Sequence, residues 1–125
     1  MFELTINGVA YQFNCGMGFM REINKTISQP VDDLKDVKQN IGLRYHVLCL
    51  LGRDIEALVK VLEIANRGQN PRVTSSLLDA YIDDADTDID KLFEDVLDFL
   101  KSANATKSAT MAVIEAHEAQ KANQK

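Results

Sequence analysis

The chain of 125 residues is long enough for one domain, which would bury roughly two thirds of the surface of its unfolded form. Its hydrophobic share of 46% and charged share of 26% are those of an ordinary globular protein. The net charge of −5 disfavours nonspecific binding to nucleic acid, and no apolar run approaches the roughly eighteen residues that cross a bilayer, so neither nucleic acid nor a membrane is an expected partner.

The two cysteines, Cys15 and Cys49, are far apart and form no metal-ligand spacing such as CxxC. A small domain held together by disulfides usually carries more cysteines. No basic segment followed by an apolar run indicates a signal peptide. We therefore expect reduced thiols and a protein that stays in the cytoplasm where it is made.

The first predicted element is a β-hairpin over residues 2–13, FELTINGVAYQF. Apolar and polar residues alternate on both sides of Asn7-Gly8, a dipeptide that favours a type I′ turn because that turn needs positive φ at both central residues. Two strands alone are marginal in water, so their apolar face must pack on helices or be completed by another strand. We therefore predict that Val9 and Tyr11 contribute to contacts with a second copy or a partner.

Two helical patterns follow the hairpin. After a flexible joint at residues 15–18, apolar residues recur at helical spacing as far as Ile27, and Pro30 ends this helix. The second pattern has Asp32 or Asp33 as N-cap and recurs every three or four residues. Its apolar members are Leu34, Val37, Ile41, Tyr45 and Leu48. Gly42 interrupts this pattern, and the sequence leaves open whether it forms one bent helix or two pieces.

The densest apolar stretch runs from Gly42 to Gly68 and contains a helix that we expect to begin after Asp54 and to end near Arg67. The polar residues of this helix form one narrow stripe: Glu56, Lys60, Glu63 and Arg67. Most of its circumference must therefore be covered, either by this chain or by another. We predict that Leu58, Val61 and Leu62 contribute to contacts with another chain, with plain core as the alternative.

Two more helices precede the C-terminal segment. Residues 74–76, TSS, cap a short helix, and an acidic link, DDADTD, leads to a regular amphipathic helix that starts at Thr87 or Asp88. The apolar face of this second helix is formed by Ile89, Leu92, Phe93, Val96, Leu97 and Leu100. Phe99 lies off that face, so we predict it as a contact residue, although single exposed aromatic residues are common.

From Asn104 the composition shifts to Ala, Thr, Ser, Lys and Gln, with only Met111, Val113 and Ile114 to bury. We predict that residues 105–125 form a weakly ordered, Ala-rich tail with a frayed or partner-dependent helix, disordered towards Lys125.

The sequence as a whole predicts an α+β fold. Residues 1–104 would form a single, mostly helical domain with an N-terminal β-hairpin.

Neither a metal site nor a catalytic site is expected. The alternating aspartates of residues 84–90 resemble the start of a calcium loop, but the sixth and twelfth positions hold Ile89 and Asp95 instead of glycine and glutamate. His46 and Cys49 lie three residues apart, yet on an apolar face without a third, orienting carboxylate. We therefore expect no cofactor and no enzymatic activity. The surplus of apolar surface favours a protein that binds other chains.

Four segments follow one another in a distinctive order: FELTINGVAYQFN, GMGFMREINK, GLRYHVLCLLGRDIEALVKVLEIA and DIDKLFEDVLDFLKSANATK. Together they resemble the tail assembly chaperones of long-tailed, siphovirus-type phages that infect Gram-positive bacteria. The resemblance covers roughly residues 2–107. Its specificity lies in the ordered combination, because each segment alone is an amphipathic pattern that many proteins share.

The resemblance implies a protein that self-associates and coats the hydrophobic tape measure protein, keeping it soluble until tail tube subunits polymerise round it. It further implies a location in the host cell cytoplasm, absence from the mature virion, and a longer, frameshifted form that recruits the tail tube protein. It supplies no catalytic residues. The alternatives are a small structural tail or connector protein of the virion and a non-enzymatic regulatory adaptor.

Overall fold

The computed structural model describes residues 2–123, which form six helices and two antiparallel strand pairs. In chain order the elements are β1 (Phe2–Ile6), β2 (Val9–Phe13), α1 (Met17–Asn24), β3 (Ser28–Pro30), β4 (Lys38–Asn40), α2 (Gly42–Leu51), α3 (Ile55–Asn66), α4 (Ser75–Asp83), α5 (Ile89–Ser102) and α6 (Lys107–Asn123). Among these helices, none is long and apolar enough to cross a membrane. The predicted α+β class, mostly helical with an N-terminal hairpin, is confirmed.

The N-terminal hairpin turns where the sequence predicts. Asn7 and Gly8 have φ of 52° and 77°, as a type I′ turn requires. Strand β2 packs on α3, and the ring of Phe13 is completely buried there. The backbone amide of Asn14 donates to the carbonyl of Ala65 at 2.8 Å, which fixes the end of the hairpin to α3. The apolar face of the hairpin is thus covered by the chain's own helices, except at Val9, which is exposed.

Helix α3 lies at the centre of the fold and contacts α1, α2, α4 and β2. The carboxylate of Asp54 accepts a hydrogen bond from the amide of Ala57 at 3.2 Å, so the predicted N-cap is confirmed. The buried side of α3 comprises Ala57, Leu58, Val61, Leu62, Ile64, Ala65 and Asn66. The chain itself therefore covers most of the circumference of this helix.

The helices α4 and α5 begin at the predicted residues. The Thr74 hydroxyl accepts from the amide of Leu77 at 3.2 Å, and the Asp88 carboxylate accepts from the amide of Lys91 at 3.1 Å. Five members of the predicted apolar face of α5 are buried: Leu92, Phe93, Val96, Leu97 and Leu100. Their spacing of three and four residues was sufficient to identify the buried face.

The prediction of a helix from Asp32 is wrong for its first part. Residues 28–40 form a second hairpin instead, which we call the arm, and Asp33 and Asp36 have φ of 65° and 64°, which a helix excludes. Leu34 and Val37 are exposed. Their helical spacing was misleading because a recurrence of apolar residues in the sequence does not require that they pack on anything.

Helix α2 starts at Gly42 because α1 passes too close for a side chain. A Cβ atom built on Gly42 would lie 1.7 Å from the carbonyl oxygen of Ile23. The Asn24 side chain accepts a hydrogen bond from the amide of Leu43 at 3.0 Å at the same place. Gly42 is thus the point where the end of α1 meets the start of α2, with the arm as the excursion between them.

The C-terminal segment forms helix α6, which packs along α2 and α5. Thr106, just before α6, and Thr110 within it are buried, whereas Val113 and Ile114 are half-buried. The predicted weak order of residues 105–125 stays a prediction. Its last part, the disorder towards Lys125, falls outside the described residues.

Candidate functional site

The six residues predicted as contacts with another chain divide between core and surface. Four are buried in the hydrophobic core: Tyr11, Leu58, Val61 and Leu62. Phe99 is half-buried, and its ring stacks on that of Phe2 with 5.4 Å between the centroids. Val9 is 43% exposed. In this conformation only Val9 and one side of Phe99 are accessible to a partner, and the burial of the other four favours the alternative of plain core.

Most of the apolar side chains that the structure exposes were not among the predicted contacts. In the described part of the chain the exposed large hydrophobic residues are Val9, Met17, Leu34, Val37, Tyr45, Leu48, Ile55 and Met111. Leu34, at 54%, is the most exposed of them. One sequence signal of its exposure is its setting among charges, DDLKD. The exposed residues of the arm and of α2 are the first candidate contact surface.

A second candidate surface is a pair of grooves on either side of Met17. One groove, of about 580 Å³, lies between the start of α1 and the end of α5. Its walls are Asn14, Cys15, Gly16, Met17, Phe99, Ala103, Asn104 and Ala105. The other, of about 550 Å³, lies between α1 and the end of α3 and includes Phe19, Ile64 and Arg67. The walls of the first groove carry no charged side chain, so this groove suits an apolar group of another molecule.

Negative charge is concentrated in residues 79–98. This segment holds nine acidic residues and one basic residue, a net charge of −8, so that the rest of the chain carries +3 of the total of −5. Lys91 donates to Asp95 at 2.8 Å, and this hydrogen bond raises the pKa of Lys91. Because all of these acidic residues except Asp95 are exposed, the surface of this segment is strongly acidic.

The aspartates of the acidic link bind their own backbone. The Asp84 carboxylate accepts from the amide of Asp86 at 2.9 Å, and Asp88 caps α5. Within residues 2–123 no group of three or more His, Cys, Asp or Glu side chains is placed to hold a metal ion. These hydrogen bonds make the segment a cap for α5.

His46 and Cys49 are not arranged as a base and its nucleophile. The Nδ1 atom of His46 donates to the carbonyl oxygen of Gly42 at 2.7 Å, and the ring is buried edge-on against Tyr45. Cys49 lies beside the Tyr45 hydroxyl instead, and their hydrogen bond raises the pKa of Tyr45. The histidine therefore serves to fix the first turn of α2.

Comparison with protein families decides the identity of the chain. The family model described as phage tail assembly chaperone protein, TAC, matches residues 3–115. The chain belongs to the phage tail assembly chaperone family. Searches of curated proteins and of solved structures give no significant match. Family membership confirms the resemblance and gives this chaperone a role in phage tail assembly, with phage tail proteins as the class of its partners.

In a tail assembly chaperone the two candidate surfaces are candidate binding sites for phage tail proteins. The match to the family runs from the N-terminal hairpin into α6, so that it includes the arm, both grooves beside Met17 and the acidic segment. Exposed apolar surface marks sites where a protein binds other proteins. The apolar side chains of the arm and of α2, together with the grooves, are the parts of the described chain that have such surface.

Proposed function

We propose that this chaperone coats the hydrophobic tape measure protein and keeps it soluble until tail tube subunits polymerise round it. The observation that carries the proposal is the family match over residues 3–115. The exposed apolar side chains support it, since covering apolar area on a client removes that area from water at roughly 25 cal/mol per Å². The chaperone acts in the host cell cytoplasm and is left out of the mature virion.

The coat consists of several copies of the chain, each making modest contacts. Leu34 and Val37 on the arm and Leu48 on α2 each expose roughly half of an apolar side chain, so each can supply only a modest contact. Many weak contacts distributed over repeated copies hold a long client firmly and still allow stepwise release. The acidic segment, residues 79–98, keeps the loaded complex soluble.

A longer, frameshifted form of the chain recruits the tail tube protein.

Co-expression with the tape measure protein of the same phage tests the coating directly. The soluble fraction of the tape measure protein should rise when the chaperone is present. It should fall again with the arm variant Leu34→Ser/Val37→Ser, whereas the control variant Gln39→Ser, which changes an exposed polar residue of the same arm, should act like the wild type. A tape measure protein that stays insoluble with the wild-type chaperone contradicts the proposal.

Two further measurements test the rest of the proposal. The mass in solution should increase with protein concentration, and a strict monomer at high concentration would argue against self-association. Mass spectrometry of purified virions should not find the chain. Its presence there as a regular component would favour a structural tail or connector protein instead.

A further inference from the structure

Helix α6 supplies few apolar side chains to the helices that it covers. Its large aliphatic residues are Met111, Val113 and Ile114, and none of them is completely buried. Helix α2, which packs more extensively on α6 than on any other helix, buries Leu43, Val47 and Leu50 almost completely. A strongly apolar pair of helices, α2 and α5, is thus covered by a weakly apolar one.

The fully buried residues in and next to α6 are two threonines, and they differ in hydrogen bonding. The Thr106 hydroxyl donates to the carbonyl of Leu100 at 2.7 Å. The Thr110 hydroxyl is equally buried, but it has no hydrogen-bond partner anywhere in residues 2–123. A buried hydroxyl that loses its bonds to water without replacing them weakens the contact in which it is buried. The docking of α6 is therefore less favourable than the docking of an apolar helix would be.

We propose that α6 is a displaceable cover, and that the surface of α2 and α5 beneath it binds an amphipathic helix of the client protein. The occupant is a helix because α6 shows that this surface accepts one. A client helix with aliphatic residues in place of Thr106 and Thr110 buries more apolar area and leaves no hydroxyl unpaired. The inference rests on the proposed function, because it takes the client protein from there.

The connection between α5 and α6 suits such an exchange. Helix α5 ends at Ser102 and α6 begins at Lys107, so a short segment keeps the displaced α6 attached to the domain. Leu51 of α2, Leu97 of α5 and Ile114 of α6 line one shared cleft, together with polar and charged side chains: Arg53, Glu94, Lys101, His117, Glu118 and Lys121. This cleft marks the edge where an incoming amphipathic helix would first insert. When the client leaves, the tethered α6 returns at high effective concentration and covers the apolar surface again.

Two variants shift the docking of α6 in opposite directions. Thr110→Val keeps the shape of the side chain and removes the unpaired hydroxyl, so the population with α6 displaced should fall by about tenfold. Ile114→Ala removes apolar contact at the cleft and should raise that population by about tenfold. Ser108→Ala is the matched control, because it removes an exposed hydroxyl from the same helix and should change the population by less than about threefold.

The probe is a fluorescent peptide of about 20 residues that forms an amphipathic helix with leucine at i, i+3, i+4 and i+7. The apparent Kd of the full-length chain for this peptide should rise about tenfold in Thr110→Val and fall about tenfold in Ile114→Ala, since it scales inversely with the open fraction. Hydrogen exchange of residues 107–123 should accelerate when the peptide binds to the wild type. Circular dichroism confirms that all variants are folded.

The inference would be overturned if wild type and Thr110→Val bound the peptide with equal affinity. It would also be overturned if the peptide left hydrogen exchange in α6 unchanged or slowed it. These outcomes are separate from a failure of the proposed function. If the tape measure protein becomes soluble in co-expression but Thr110→Val does not weaken that effect, the coating proposal stands and the displacement of α6 is wrong. If the tape measure protein stays insoluble while the peptide displaces α6, the proposed client is wrong and the displaceable cover stands.

Discussion

The side-chain amide of Asn66 donates a hydrogen bond to the backbone carbonyl of Gln12 at 2.9 Å. The carbonyl oxygen of the same side chain accepts from the amide of Val73 at 2.6 Å. Asn66 is the last residue of α3 and is completely buried. One side chain therefore joins three segments that are distant in sequence: the N-terminal hairpin, the central helix and the turn before α4.

We expect Asn66→Ala to destabilise the domain by about 1–3 kcal/mol, because it leaves the buried amide of Val73 and the half-buried carbonyl of Gln12 without this partner. Urea unfolding followed by circular dichroism measures the loss. Asn70→Ala, at an exposed position of the neighbouring turn, is the control and should change the stability by less than about 0.5 kcal/mol. Equal stability of the two variants would show that the Asn66 hydrogen bonds contribute nothing.

Gly42→Ala should be among the most damaging single changes to a small residue in this chain. The added Cβ atom meets the backbone oxygen of Ile23, which cannot rotate away, so α1 and α2 must separate at a cost of about 3 kcal/mol or more. Gly18→Ala is a matched contrast, since Gly18 also lies in a helix but has open space around it, and it should stabilise by about 0.5–1 kcal/mol. The melting temperatures of the two variants should move in opposite directions.

An aspartate at Leu58 or Val61 should unfold the domain, whereas an aspartate at Leu48 should not. The first two side chains are at most 1% exposed, and an unpaired charge there costs several kcal/mol, comparable to the whole stability of a domain. Leu48 is 51% exposed, so its new charge stays in water. Circular dichroism distinguishes the cases. If Leu58→Asp folded but failed to self-associate, we would instead assign Leu58 to the surface that contacts another chain.

The two thiols should differ in reactivity. Burial raises the pKa of Cys15 above its ordinary value of 9.0, although a hydrogen bond with Thr106 opposes this shift. The native protein should therefore react with a thiol reagent at Cys49, which is half-buried, well before Cys15, which should react only on unfolding.

The sign of the pH effect follows from the raised pKa of Cys15. A group whose pKa is higher in the folded than in the unfolded state holds its proton more tightly when folded. Its contribution to stability is fully present below the unfolded pKa and is lost as the pH rises through the folded pKa. The melting temperature should thus decline above about pH 9. Replacing Cys15 by alanine should make that decline shallower, and an unchanged slope would show that another group causes it.

The sequence was informative where one segment determines its own structure. Asn7-Gly8 predicts the first hairpin because its turn needs positive φ, and Asp54 and Asp88 mark helix starts because their carboxylates bond to amides three residues ahead. The buried faces of α3 and α5 follow from the helical spacing of their apolar residues. All of these features are set by residues that lie close together in the sequence.

The sequence was not informative where the answer depends on distant segments. The narrow polar stripe of α3 shows that the helix is covered but not by what, and only the tertiary structure assigns Leu58 and Val61 to the core of the same chain. No pattern in the sequence singles out Asn66, since its partners lie in other segments. The arm was missed because its apolar spacing is that of a helix, while its surroundings are solvent.

The arm begins and ends at a single point of the domain. The amide of Ile41 donates to the carbonyl of Ile27 at 2.9 Å, and the chain on either side is already held where Gly42 meets Ile23. Because the two ends are fixed by the domain and not by the arm, the entropy of closing this loop changes only slowly with its length. Residues 28–40 are thus an interchangeable module: their length and composition can vary, or accept a fluorescent label, while the helical domain beneath keeps its stability.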